Sequence, residues 1–276
     1  MRAFRVKYGN RKSEWRLISM SEILEELRKF SAIRRHPKEL VEQFRGFDAS
    51  LVHDALLDEF GIESHLFGLR SMFDFMQDQT YVGHAITVKF VSKIREPVAN
   101  VRNRFRETGR ATNDHALAAC DFAKPGDIIV IDGEGCMLGT MWGENMSTLA
   151  MRSKVQAVVL DCAVRDLSDI RKARFPVFAK GPTIPGSGAY LESVGLNAPI
   201  QCGGAQVRPG DLIMGDDDGV ISIPYEYVEE TLKVSKRIEE AENNTREAVR
   251  AGRPAVECYP AGRPMILEEL RKRKTK

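Results

Sequence analysis

The spacing of apolar and polar positions changes several times along the chain, and each change marks an element. Ile23, Leu24, Leu27 and Phe30 share one helical face, and Ser19 and Glu22 precede them at capping-box spacing. Pro37 can open a second short helix, where its missing N–H costs nothing. Residues 1–45 therefore read as a helical arm. Over 48–60, Leu51, Val52, Ala55, Leu56 and Phe60 form another helical stripe, with Asp48 placed as N-cap and Gly61 as C-cap. GHAITVKFV (83–91) then alternates as a strand, with Ile86, Val88 and Phe90 on one side.

The remainder alternates regularly. A helix over 113–127 stops at Pro125-Gly126 and leads to a strand over 127–132. A helix over 145–153 leads to strand 156–161, and a helix over 166–173 to strand 176–180. Segment 205–224 breaks into short strands, punctuated by Pro209-Gly210 and the turn Asp216-Asp217-Asp218-Gly219. A long charged helix over about 225–250 carries few large apolar residues, which suits a half-exposed helix or one packed on another subunit. The stretch 95–112, with five arginines, reads as a loop or frayed helix. This is an α/β order: a helical extension (1–45), a main domain (46–252) and a tail (253–276).

Composition narrows the function classes. The 276 residues include 41 basic and 39 acidic side chains, a net charge of +2, so no global field favours nucleic acid. No apolar run approaches the length of a membrane helix, and MRAFRVKYGN lacks the apolar core of a signal peptide. Five cysteines, none at CxxC spacing, read as unpaired thiols of a reducing compartment. A cytoplasmic protein without nucleic-acid or membrane partners is expected.

Two strand ends carry the candidate chemistry. After strand 127–132 comes a loop with Gly133, Gly135, Gly139 and Gly143, followed by Glu144 and Asn145 at a helix start, where free N–H groups can bind a carboxylate. The glycines are spaced GxGxxxG, one place from the dinucleotide fingerprint, and Asp161 could stand for its ribose-binding acid; a tight structural turn is the plainer alternative. After strand 156–161 comes Arg165-Asp166. Taken alone this pair reads as a salt bridge at a strand end. Taken with Glu144, 21 positions earlier, and Asp169, one helical turn later, it suggests an oxygen-only site for Mg²⁺ or Mn²⁺ ringed by Glu144, Asp166 and Asp169. The two loops meet only if their strands are neighbours. His53, Asp54, His115, Cys136 and Cys162 read as local or packing groups, and Asp216 to Asp218 as a turn.

Gly143-Glu144, the 20-residue gap, Arg165-Asp166, FPVFAKG (175–181) and RPGDLIMGDDDGVISIP (208–224) resemble the 4-hydroxy-4-methyl-2-oxoglutarate aldolases, a family that also holds the regulator of ribonuclease activity A. The resemblance spans roughly residues 46–250. It implies a swivelling β/β/α-type domain, an αββα sandwich, assembled as homotrimers or homohexamers with active sites between subunits. It implies that Asp166 binds the Mg²⁺ or Mn²⁺ and that Glu144 holds metal-bound water. Arg165 would contact a small 2-oxo acid, and the amides of Gly143, Asn145 and Met146 would hold its carboxylate. A glutamate of a neighbour's C-terminal helix, Glu239, Glu240 or Glu242, would complete the site. The implied activity is metal-dependent C–C cleavage to pyruvate, by retro-aldol reaction or oxaloacetate decarboxylation. The alternatives are a non-catalytic ribonuclease regulator and a hydratase or isomerase using the same enolate chemistry. The N-terminal arm, the arginine-rich stretch 95–112 and the tail after 252 depart from the pattern.

Overall fold

Strand β4 (Tyr81–Ser92) organises the chain, because three other strands pair with it. In this computed structural model, residues 3–7, 15–19, 25, 28–29, 32–93, 100 and 112–258 are described. The first two elements, β1 (Ala3–Lys7) and β2 (Trp15–Ser19), form an antiparallel pair. The arm expected to be helical throughout thus begins with strands; its expected helix over 19–30 falls largely outside the described residues. The segment after it is bonded to the main body. Arg35 forks onto Asp127 at 2.8 and 2.7 Å, and the His36 N–H donates to His84 Nε2 at 2.9 Å. The His36 ring stacks on Tyr225.

Helices α1 (Lys38–Gln43) and α2 (Ala49–Phe60) follow. Pro37 precedes α1 and Gly61, in the left-handed region, ends α2, both as the residue types require. Asp48 stands at the N-cap of α2, yet its side chain makes no capping bond. Asp216 does the work from a distance of 167 residues, its Oδ2 accepting the Ala49 N–H at 2.7 Å. The same carboxylate accepts the Asp218 N–H, which holds the acidic turn.

The large sheet runs β12-β11-β4-β5-β6-β7-β3, with β8 also on β4. Its parallel centre is β4, β5 (Ile128–Cys136), β6 (Ala157–Val164) and β7 (Val177–Pro182), linked by α3 (Asp114–Phe122), α4 (Glu144–Arg152) and α5 (Leu167–Ala173). Every residue of β6 is buried, as a parallel strand covered on both faces must be. β4 is likewise buried on both faces through Val88, beyond the one-sided alternation expected of it. Thr87, on the second face, satisfies its hydroxyl by donating to the Ala198 carbonyl at 2.6 Å.

Antiparallel strands complete the sheet: β3 (Arg70–Ser71) on β7, β8 (Leu191–Leu196) and β11 (Leu212–Gly215) on β4, and β12 (Val220–Ile223) on β11. β9 (Ile200–Cys202) and β10 (Ala205–Val207) form a separate hairpin. The main core lies around β4–β7 and helices α3–α5. A second core joins α1, α2, β11, β12 and the start of α6 (Val228–Arg250). The buried residues of α6 all lie before Lys236, and its later turns are half or fully exposed. Helix α7 (Ala255–Cys258) follows it. The fold is therefore mixed α/β with a nearly closed sheet and a long C-terminal helix. Among the described residues no helix is long and apolar enough to cross a membrane.

Candidate active site

Strands β5 and β6 are parallel neighbours, with Asp132 level with Asp161. The two loops singled out in the sequence therefore open at one edge. The first is built differently from the expectation. β5 continues to Cys136, so Gly133 and Gly135 belong to the strand and not to a strand-to-helix phosphate loop. A Cβ on Gly133 would stand 2.6 Å from Cys162 Cβ, so this glycine serves close strand packing. Asp161 faces Lys180, whose Nζ lies 3.0 Å from its Oδ1 as an ion pair off the hydrogen-bond axis. Neither glycines nor acid suit a dinucleotide.

From Thr140 to Gly143 the loop is fixed from below. Trp142 is fully buried, stacks on Phe175 and donates its Nε1–H to Ser147 Oγ at 3.0 Å. The Trp142 N–H donates to Thr140 Oγ at 3.0 Å, and Thr140 in turn donates to the Ala163 carbonyl on β6. The Trp142 carbonyl accepts the Arg165 N–H at 3.1 Å, which ties the two loops together. Gly143 is the N-cap of α4, and its carbonyl accepts the Ser147 hydroxyl.

Asp166 precedes α5 in a left-handed conformation, φ 58°, and makes no capping bond to its own helix. Such a conformation is costly for a residue with a side chain and collects at functional sites. Its carboxylate reaches across to α4, where Oδ2 accepts the Glu144 N–H at 3.2 Å. A Cβ on residue 143 would stand 2.3 Å from that oxygen. Gly143 is thus required by Asp166, for space and not for backbone freedom, since its own φ is extended.

Arg165 Nε lies 3.5 Å from Asp166 Oδ2, with the two side chains 45% and 40% exposed. The pair is therefore a half-exposed ion pair at the strand end, not one buried in the core. A half-exposed pair contributes little to stability, and its groups remain available to a ligand.

Arg165, Asp166, Gly143, Asn145 and Met146 all line one cleft of about 360 Å³, within the range usual for small-molecule sites. The first-turn N–H groups of α4 have no partner within the helix, and the helix dipole adds positive character there. Arg165 is the only basic residue lining the cleft among the described residues. Among the described residues no lysine lines it. Sequence reasoning missed the other walls. Gly186 and Gly188 come from the segment after β7, joined to the first loop by a bridge between Thr140 and Gly186. Asn113 and Leu117 come from the start of α3. The T-I-P-G-S-G run at 183–188 was the available signal for the first of these.

The expected ring of three carboxylates does not form within one chain. Among the described residues no three His, Cys, Asp or Glu side chains gather as a metal cluster. Asp169 points along α5 and pairs with Lys172 at 2.9 Å on the surface. Glu144 is exposed on the shoulder of the cleft, and only its N–H meets Asp166. The donor set still fits a hard divalent ion of the water-rich kind. Asp166 Oδ1 carries no protein hydrogen bond among the described residues, and Mg²⁺ commonly keeps several waters beside one or two carboxylates. On α6, Glu239 and Glu242 both pair with Arg246, and Glu240 is exposed. His53 bonds Ser64, and burial pushes the Cys162 thiol far up, so both stay packing groups; His115, expected as a local cap, instead bonds Ser193 of β8, 78 residues on.

The family model described as RraA-like, Aldolase/RraA, matches residues 49–222. A protein of Halalkalibacterium halodurans, provisionally named a 4-hydroxy-4-methyl-2-oxoglutarate aldolase, is 39% identical over 132 residues, covering 48% of this chain and 61% of that protein. The 4-hydroxy-4-methyl-2-oxoglutarate aldolase of Thermus thermophilus is 28% identical over 119 residues, 42% of this chain and 72% of that one. An uncharacterised protein of Methanocaldococcus jannaschii is 38% identical over 137 residues, 49% of this chain and 65% of that protein. The chain thus spans under two thirds of the first and third of these relatives. Among solved structures, Streptomyces coelicolor RraAS2, an unusual member of the RNase ES inhibitor RraA protein family, aligns with TM-score 0.65 and 25% identity over 78% of this chain and 99% of that one.

Proposed function

The chain belongs to the RraA-like family, and on that footing we propose that it is a carbon–carbon lyase acting on a small 2-oxo acid, dependent on Mg²⁺ or Mn²⁺, and releasing pyruvate. The observation that carries this reading is one cleft lined by Arg165, the half-exposed Asp166, and Asn145 and Met146 of the first turn of α4. A divalent ion held by Asp166 would supply Lewis-acid polarisation of the substrate's 2-oxo group.

The protein's own groups divide the remaining work. The amides of Asn145 and Met146 hold the substrate carboxylate. Breaking the C3–C4 bond sends its electron pair into the pyruvate enolate, while the C4 hydroxyl loses its proton and becomes the carbonyl of the leaving fragment. Arg165 stabilises the developing oxygen anion through its fork of N–H donors. We assign to Glu144 the holding of the water that takes the hydroxyl proton and returns one to C3. The exposed later turns of α6 support an oligomer, trimer or hexamer, in which Glu239, Glu240 or Glu242 completes a neighbour's site.

The test is pyruvate release from oxaloacetate and from a panel of 4-hydroxy-2-oxo acids, with and without EDTA. Activity that needs added Mg²⁺ or Mn²⁺ and disappears in Asp166→Ala is the expected result. Activity unchanged in chelator or in that variant overturns the metal role. A second reading, a ribonuclease regulator, is favoured by the likeness to the Streptomyces structure. Capture of a ribonuclease, with no heat of Mg²⁺ binding by calorimetry, would select it.

A further inference from the structure

We infer that Gly186, in the segment after β7, is a positioning residue: its lack of a side chain sets where the Arg165 guanidinium stands in the cleft. The inference rests on the lyase reading, in which Arg165 meets the reacting oxygen. The Arg165 side chain has a glycine against it at each end. A Cβ on residue 143 would stand 3.3 Å from Arg165 Cγ, at the start of the stem. A Cβ on residue 186 would stand 3.3 Å from Arg165 Nη1 and 3.9 Å from Cζ, at the head. The first of those head distances is closer than an ordinary van der Waals contact. Both glycines and Arg165 line the cleft. The Asp166 carboxylate, 3.5 Å from Nε, is at the limit of hydrogen bonding and fixes no direction for the head.

The backbone does not require glycine at 186, because its φ is not positive. Space does. The chain around it is tied to both strand-end loops. The Thr140 N–H donates to the Pro185 carbonyl at 3.1 Å, and Thr140 pairs with Gly186 in a bridge. The Thr183 N–H donates to the carbonyl of Val164, the residue before Arg165, at 2.9 Å. A Cβ on Gly139 would stand 3.0 Å from the Gly186 carbonyl oxygen, so these two backbones are also closely packed. A backbone held at these points yields less readily than the end of a long side chain. A side chain at 186 therefore moves the guanidinium and leaves the loop in place. The reaction feels that shift, because a donor to a developing oxyanion works by being aimed before charge appears.

The experiment uses the full chain with Mg²⁺ and the series Gly186→Ala and Gly186→Val. Crystal structures should show the Arg165 guanidinium of Gly186→Val moved by about 1 Å or more, with the 183–188 backbone in place. In pyruvate release, kcat should fall about threefold in Gly186→Ala and roughly tenfold or more in Gly186→Val. KM should stay within about twofold, the split expected of a group that acts only in the transition state. In an Arg165→Lys background, whose shorter head ends before the Nη1 position, Gly186→Ala should change kcat by less than about twofold. A guanidinium unmoved in Gly186→Val, or an equal loss of kcat in the Arg165→Lys background, overturns the inference while leaving the lyase reading in place. If the parent releases no pyruvate, the lyase reading fails by itself, and the crystal structures decide the inference. If Gly186→Val does not fold, Gly186→Ala decides by the same comparison: a guanidinium in the parent's position overturns the inference.

Discussion

Asp166 and Glu144, 22 residues apart, meet through a single bond in which the carboxylate of one accepts the backbone N–H of the other at 3.2 Å. That bond joins two strand ends, and it orients the carboxylate that the proposed chemistry needs. Asp166→Asn keeps an acceptor for the Glu144 N–H and a residue type tolerated in the left-handed region, and it removes only the charge. Stability should change by less than about 0.5 kcal/mol, while pyruvate release should fall roughly 100-fold or more. Paired urea unfolding and activity measurements check this, and a fully active variant would show that the charge is unused.

Gly143→Ala probes the same contact from the other side. The added methyl meets Asp166 Oδ2 at 2.3 Å, and Arg165 Cγ is within 3.3 Å. Backbone strain is not at issue, because φ at 143 is extended. The carboxylate must move, so activity should drop at least ~10-fold, with an overpacking cost of about 1–3 kcal/mol. Pairing it with Asp166→Gly in a double-mutant cycle should show strong coupling between the two positions; additive losses would mean that the methyl harms something else.

Trp142→Phe keeps the ring on Phe175 but deletes the donor to Ser147 Oγ. Loss of one buried hydrogen bond, together with some volume, should cost about 1–3 kcal/mol in denaturant unfolding. Since Ser147 also bonds the Gly143 carbonyl, the loop should loosen and KM rise. An unchanged KM would show that the loop is held without this anchor.

A pH dependence of stability follows from His84, whose pKa burial lowers from 6.5 to about 4, against the opposing pull of Asp127. Its Nε2 accepts the His36 N–H, which a protonated ring could not do. The folded state holds His84 neutral down to about pH 4, whereas the unfolded chain takes up a proton near pH 6.5. Between these values the unfolded state binds more protons, so stability decreases as pH falls, by an amount on the order of 3 kcal/mol. Urea unfolding at pH 7, 5.5 and 4.5 should show this loss, and His84→Gln should flatten it. An equally steep loss in the variant would assign the effect to other groups.

The Gly143, Glu144, Arg165 and Asp166 constellation was legible because it rests on local features: two strand ends one βαβ unit apart, which a parallel sheet sets side by side. The opening strands ran against the helical expectation for 1–45: Phe4 and Val6 do alternate with Arg5 and Lys7, but the alternation is too short to outweigh the helical stripe at 23–30. β8 and β9 were missed because they are short and mix glycine, serine and charged or amide residues with their apolar ones. The Asp216 cap on α2 and the cleft wall from Asn113 and Leu117 depend on contacts between distant segments, which periodicity does not encode. Asp169 was misplaced for a related reason: sitting one turn after Asp166 makes it a neighbour along the helix, and Lys172, a further turn on, takes it.

The three-way pairing of β4 also bears on how the molecule assembles. Its antiparallel partner β11 begins at Leu212, 131 residues after Tyr81, and β8 begins at Leu191. Closing such separations is slow, because the ordering of the intervening chain must precede the contacts that reward it. During synthesis, the hydrogen-bonding edge of β4 stays open until β8 and β11 have emerged, although β5–β7 can already stack beside it. Amides of β4 on the edge that β8 and β11 close should then be the last to gain protection from hydrogen exchange in refolding and, once closed, among the slowest to lose it.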